Sequence, residues 1–143
     1  KKILFAQLIF SLAEEMSTSY SENTVAVIDS NTDRGDRDIR RIMMEEYVNE
    51  NFNRQITLKE LANILYLSEK QTERLFTREM GTTFKQFVLK IRLKAAMSYL
   101  RRTDLSVKNI SAMVGYDSYN GFHKAFSAYV GMSPSEYRMK NKK

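Results

Sequence analysis

Four polar side chains spaced along one helical face, Lys70, Glu73, Arg74 and Thr77, recur 50 residues later as Asn120, His123, Lys124 and Ser127. These groups suit directional hydrogen bonding better than bond-breaking. Arg74 and Lys124 hold matching positions and can donate to guanine N7 and O6; Asn120 can pair bidentately with adenine, and Glu73 can accept from cytosine N4. The chain has one histidine and no cysteine, no glycine-rich loop to cradle phosphate and no metal-ligand cluster. His123 therefore fits a helix face better than a catalytic dyad, and no catalytic residue, metal or cofactor is expected.

The elements that must position these groups form a repeat. Thr57, Leu58, Leu61, Leu65 and Ser68 recur as Ser106, Val107, Ile110, Val114 and Ser118, with one extra residue in the second turn. Beyond each turn the copies stay in step: Thr72 matches Phe122, Leu75 Ala125, Phe76 Phe126, Gly81 Gly131 and Phe87 Tyr137. Each copy reads as a short helix, a tight turn and a second helix. In such a pair the second helix enters the major groove of duplex DNA with its N-terminal side chains on base edges.

Start signals are dense. Thr57 with Glu60, Ser68 with Gln71, Thr83 with Gln86 and Ser133 with Glu136 each place a hydroxyl at a cap and an acceptor three residues on. Pro134, the only proline, sits where a first helical turn has no use for its missing N–H. Gly81 and Gly131 fall just past helix ends. The helices predicted are 39–51, 57–65, 68–80, 83–101, 106–113, 118–130 and 133–140. The inward stripes are Ile39, Ile42, Met43 and Tyr47 in the first helix; Thr72, Leu75, Phe76 and Met80 in the third; and Phe122, Ala125, Phe126, Tyr129 and Val130 in the sixth. The fold class is all-α, with two helix-turn-helix subdomains (39–82 and 103–140) joined by a long linker helix (83–102), and an additional N-terminal amphipathic helix.

That N-terminal helix carries Phe5, Leu8, Ile9, Leu12 and Met16 on one stripe. Glu14 and Glu15 follow, and no small-residue cleavage site appears, which argues against a signal peptide. Residues 20–38, with the turn-like Asp33-Arg34-Gly35-Asp36, read as a linker. The domain reading is thus 1–19, 20–38 and 39–143. No stretch approaches the roughly 18–20 apolar residues of a membrane span, and the lack of cysteine favours a reducing, cytoplasmic setting.

Charge follows the same division. Residues 1–38 hold 4 Lys/Arg against 7 Asp/Glu, whereas residues 39–143 hold 19 against 10. A net +9 on the repeated part suits a polyanionic partner. The linker helix, 19 residues at 1.5 Å each, gives roughly 28 Å, close to the ~34 Å between successive major-groove faces. Thr77, Arg78, Lys90, Arg92, Ser118, Ser127 and Lys140 are the candidates for phosphate contact, which fixes register without reading sequence. Arg92 serves equally well as a structural ion-pair partner.

Longer runs carry a family resemblance. Ile110-Ser111-Ala112-Met113-Val114-Gly115-Tyr116-Asp117-Ser118, Phe122-His123-Lys124-Ala125-Phe126 and Gly131-Met132-Ser133-Pro134-Ser135-Glu136-Tyr137-Arg138 resemble the C-terminal signature of AraC/XylS-type transcriptional regulators. Leu58-Lys59-Glu60-Leu61-Ala62, Leu67-Ser68, Arg74-Leu75-Phe76 and Gly81 match that family's first unit, and Arg92-Leu93 with Ala96 its connecting helix. The resemblance covers 39–140 and implies a two-unit DNA-binding domain, usually of an activator, that contacts RNA polymerase. Its base-reading positions fall on Lys70, Glu73 and Arg74, then on Tyr119, Asn120 and Lys124. Ser111 stands where alanine is usual, and Lys124 and Ser127 replace the commoner arginine and lysine. At Lys124 this gives up the arginine fork that suits guanine. Residues 1–38 resemble the helical end of a regulatory domain with its linker, which implies a fragment and a possible homodimer through the N-terminal part.

Two other classes fit the same residues. A helical protein-interaction module would bind through the outward stripes with little salt dependence. A non-specific nucleic-acid binder would show steep salt dependence and a small specificity ratio.

Overall fold

Hydroxyl residues set where the helices begin. In the computed structural model, which describes residues 25–143, seven helices run in order: α1 Val25–Asn51, α2 Leu58–Ile64, α3 Glu69–Met80, α4 Phe84–Arg102, α5 Val107–Met113, α6 Tyr119–Val130 and α7 Pro134–Asn141. Thr57, Ser68, Thr83, Ser106, Ser118 and Ser133 precede α2 to α7 in extended backbone. Each accepts through its side-chain oxygen from the N–H three residues on. This satisfies one of the donors that a helix start leaves open. Ser68 with Gln71 and Ser133 with Glu136 also make the reciprocal bond. The fold is all-α among the described residues, as the caps and stripes predict. The amphipathic helix predicted over 1–19 lies outside the described residues.

The first helix differs from its prediction. It begins at Val25, not near Ile39, so the turn chemistry around Gly35 does not break it. A helix already nucleated and packed at its C-terminal end extends at small cost per residue, and one glycine costs only about 1 kcal/mol. Pairing helps along the way: Arg40 lies 3.4 Å from Asp36, and Arg41 lies 3.3 Å from Glu45, each at four-residue spacing. The buried stripe is Met43, Met44, Tyr47 and Val48, and Ile42 is half exposed. The predicted stripe was thus turned by about one residue.

The chain divides into two compact units: one runs to Tyr47 and resumes at Thr57–Thr82, the other joins Val48–Ile56 with Thr83–Lys143. Residues 48–56, expected with the first subdomain, therefore belong with the second. In the first unit α2 packs on α3, with Leu61, Ala62, Leu65, Leu75 and Phe76 buried. Thr72 is buried too, its hydroxyl donating to the Ser68 carbonyl at 2.9 Å. Glu60 accepts from the Tyr47 hydroxyl at 2.8 Å and ties α2 to α1.

The second unit is built around Leu93, Ala96, Leu100, Ile110, Val114, Phe122 and Phe126, all fully buried. Phe52, Tyr116, Val130 and Tyr137 pack against that cluster. Tyr116, Phe122, Phe126 and Tyr137 form a chain of tilted and edge-on ring contacts with centroids 5.4–5.6 Å apart. Ser111, unusual where alanine is expected, is buried without penalty because its hydroxyl donates to the Lys108 carbonyl at 2.7 Å. Arg138 of α7 donates to the Leu100 and Leu105 carbonyls and so fixes the turn from α4 into α5.

Candidate nucleic-acid interface

The first candidate surface is one face of α3. Ser68 caps it with a full capping box, and Gly81, left-handed at φ 68°, closes it. Thr72, Leu75 and Phe76 anchor the buried side, which leaves Lys70, Glu73, Arg74, Thr77 and Arg78 exposed. The predicted outward stripe is therefore solvent-facing throughout. Arg78 is engaged locally by Glu79, with Nε to carboxylate oxygen at 2.7 Å, and most of its side chain remains in water.

The second surface is the matching face of α6. Phe122 and Phe126 anchor it, and Tyr119, Asn120 and Lys124 are exposed. His123 is half-buried; its ring lies against that of Tyr119, 5.9 Å between centroids. Glu136, the reciprocal acceptor of the Ser133 cap, lies within electrostatic reach of both His123 and Lys140. The bond from the Ser133 backbone N–H, more than any charge, holds its carboxyl below the usual range. Lys140 is exposed, and Ser118 keeps its exposed hydroxyl at the start of α6 while accepting from the Gly121 N–H at 3.0 Å.

Two phosphate-contact expectations and one core expectation are corrected. The Ser127 hydroxyl is buried and has no hydrogen-bond partner, so it does not present itself to a phosphate; offset from the stripe alone does not show how far a neighbouring element covers a position. Arg92 is turned inward, its Nε donating to the Phe52 carbonyl and its Nη2 to the Arg54 carbonyl, both at 2.8 Å. Burial lowers its pKa, against the opposing pull of Tyr116 and Asp117. Its role is structural, through main-chain carbonyls and the face of Tyr116, 5.7 Å away, in place of the ion pair first considered. Tyr129, predicted inward, is 46% exposed. An amphipathic tyrosine in a last helical turn can keep its ring edge in water.

Sequence reasoning missed how the second turn is held. Both turns end their first helix in the same way. Tyr66 N–H donates to Asn63 and Leu67 N–H to Ala62; Gly115 N–H donates to Ala112 and Tyr116 N–H to Ser111. This is the paired Schellman arrangement, and it places one left-handed residue after each helix. At the second turn Gln55 also donates from Nε2 to the Gly115 carbonyl and to the Asp117 carboxylate, both at 3.0 Å. A side chain on Gly115 has no room, since a Cβ would stand 2.4 Å from the Phe52 carbonyl oxygen. The tight-turn glycine was a visible signal; its partners, some 60 residues away in sequence, were not.

Among the described residues there is no group of three or more His, Cys, Asp or Glu side chains placed to hold a metal ion, and no helix long and apolar enough to cross a membrane.

Residues 61–140 match a family profile described as a helix-turn-helix domain. The chain is 32% identical over 92 residues to the melibiose operon regulatory protein of Escherichia coli K12, covering 64% of this chain and 30% of that protein. It is 29% identical over 136 residues to the raffinose operon transcriptional regulatory protein RafR of Pediococcus pentosaceus, covering 95% and 47%. The chain thus spans less than half the length of these relatives. Among solved structures, the C-terminal domain of AraT, a response regulator from Geobacillus stearothermophilus, superposes with a TM-score of 0.70 at 30% identity, covering 73% of this chain and 87% of that one.

Proposed function

Because the chain belongs to the AraC-type family of helix-turn-helix transcription regulators, we propose that it reads an operator with α3 and α6 in successive major grooves of one duplex. The observation that carries this reading is the pair of matched, solvent-facing stripes, each on the second helix of a capped helix-turn-helix. Lys70, Glu73 and Arg74 read bases in one groove; Tyr119, Asn120, His123 and Lys124 read them in the other. Thr77, Arg78, Lys90, Ser118 and Lys140, all exposed, contact phosphates and set register. Ser127 and Arg92 are not in that set. Since the two stripes differ in composition, the site bound by one chain is not palindromic.

The intact protein acts in the bacterial cytoplasm as an activator that contacts RNA polymerase, and residues upstream of the DNA-binding part mediate self-association. Both regulators named above take their names from sugar operons, and this chain is a regulator of the same general kind.

Selection from a duplex library randomised over about two helical turns tests the reading. The expected result is an enriched, non-palindromic site in two segments spaced one turn apart, with affinity that falls steeply with salt. Salt-sensitive binding with no enriched sequence would point to a non-specific binder. Failure to retain DNA at any salt concentration would point to a protein-interaction module.

A further inference from the structure

The chain between α1 and α2 precedes the first helix-turn-helix, yet it is built into the second. Phe52 packs against the core of the second unit. Its carbonyl and that of Arg54 accept the two 2.8 Å bonds from Arg92. Gln55 then spans from this strap to the second turn, donating to the Gly115 carbonyl and to the Asp117 side chain. The Arg92 guanidinium lies over Tyr116, between those two acceptors in sequence. The strap is so close to the turn that only glycine fits at 115. Asp117 immediately precedes Ser118, the cap of α6, and the base-reading candidates Tyr119 and Asn120 follow at once.

From this geometry we infer that Gln55 and Arg92 are positioning residues for base reading by α6: they clamp the turn that aims this helix and touch no base themselves. The inference rests on the reading of α6 as a groove-reading helix. Phe52–Gln55 therefore belongs functionally to the second half of the site. A bidentate base contact is lost when its donors move by a fraction of an ångström or tilt by some tens of degrees. A loosened turn should then cost preference at the bases under α6 before it costs binding in general.

Gln55 is the member to alter, because it is exposed and fills no core. Gln55→Glu sets a carboxylate against Asp117 and the Gly115 carbonyl; Gln55→Ala only removes the two bonds; Gln55→Lys keeps a donor. Each variant of the 143-residue chain is passed through the randomised-duplex selection, and the segment under α6 is identified as the one relaxed by Asn120→Ala. Gln55→Glu and Gln55→Ala should lower preference there by about fivefold, the scale of one or two hydrogen bonds. The segment relaxed by Arg74→Ala should stay within twofold of wild type, and Gln55→Lys should restore preference under α6. Equal losses in both segments, or no loss in either, would overturn the positioning role while leaving the groove reading intact. A wild-type chain that enriches no sequence would overturn the groove reading, and this inference with it.

Discussion

Tyr66 and Gly115 occupy the same place in the two turns. Each is the residue after a helix cap, each sits in the left-handed region at φ 54° and 92°, and each is followed by the same closing bond to the preceding helix. The extra residue of the second turn, Asp117, comes after this motif, which is why the two sequences fall out of step by one residue there. Glycine is natural at such a position; tyrosine is not, because its Cβ crowds the neighbouring carbonyl.

Tyr66→Gly should therefore stabilise the first unit. The side chain is 79% exposed, so little packing is lost. Relief of the left-handed strain, roughly 1–2 kcal/mol, exceeds the extra chain entropy of glycine, and the net gain is about 0.5–1 kcal/mol. Chemical denaturation with unchanged m-value would register it as a raised midpoint.

Gly115→Ala should act in the opposite direction. The new Cβ meets a backbone oxygen at 2.4 Å in a conformation that L-residues seldom adopt. Such a clash cannot be relieved by turning a side chain, and the loss should reach about 2–3 kcal/mol. Equilibrium unfolding followed by circular dichroism measures it.

Ser127→Ala should leave DNA affinity within twofold and raise stability by up to about 1 kcal/mol, because it removes a buried hydroxyl that has no partner. A large loss of affinity on this change would return Ser127 to the phosphate-contacting set.

Glu136 gives the account a pH signature. Its carboxyl is held below its ordinary value, first by the Ser133 backbone N–H and then by the Ser133 side chain. A depressed carboxylate stabilises the fold fully above its unfolded pKa, near 4.3, and that contribution disappears as pH falls through the folded value. Compared with Glu136→Gln, the wild-type chain should thus lose relative thermal stability below about pH 4.3 and keep a constant difference from pH 5 to 7. Melting curves across that range provide the check.

The sequence disclosed the architecture because its strongest signals are local. A hydroxyl cap with an acceptor three residues on is read within one helix, and four helix starts follow from it; the starts after Ser106 and Ser118 follow from the repeat. The outward faces were legible for the same reason: once Phe122 and Phe126 face inward, Asn120 and Lys124 must face out. What escaped depends on other parts of the chain. Whether the Ser127 hydroxyl is covered and what Arg92 holds are set by the folded surroundings, and the run of α1 through Gly35 by extension of a helix already nucleated further along. The left-handed backbone at Tyr66 left no trace in the sequence, since the residue type conceals what the matching glycine advertises.

In the proposed arrangement Arg74 and Lys124 read bases in two different segments of one site. That arrangement is tested most directly by measuring Arg74→Ala and Lys124→Ala against every single-base variant of the selected duplex at fixed salt. Each variant should lose about 1–3 kcal/mol of specific binding and relax preference only in its own segment, the two segments lying about one helical turn apart. If both variants kept the wild-type preferences at every base pair and merely flattened the salt dependence, the two residues would be phosphate contacts and the account of base reading would be wrong.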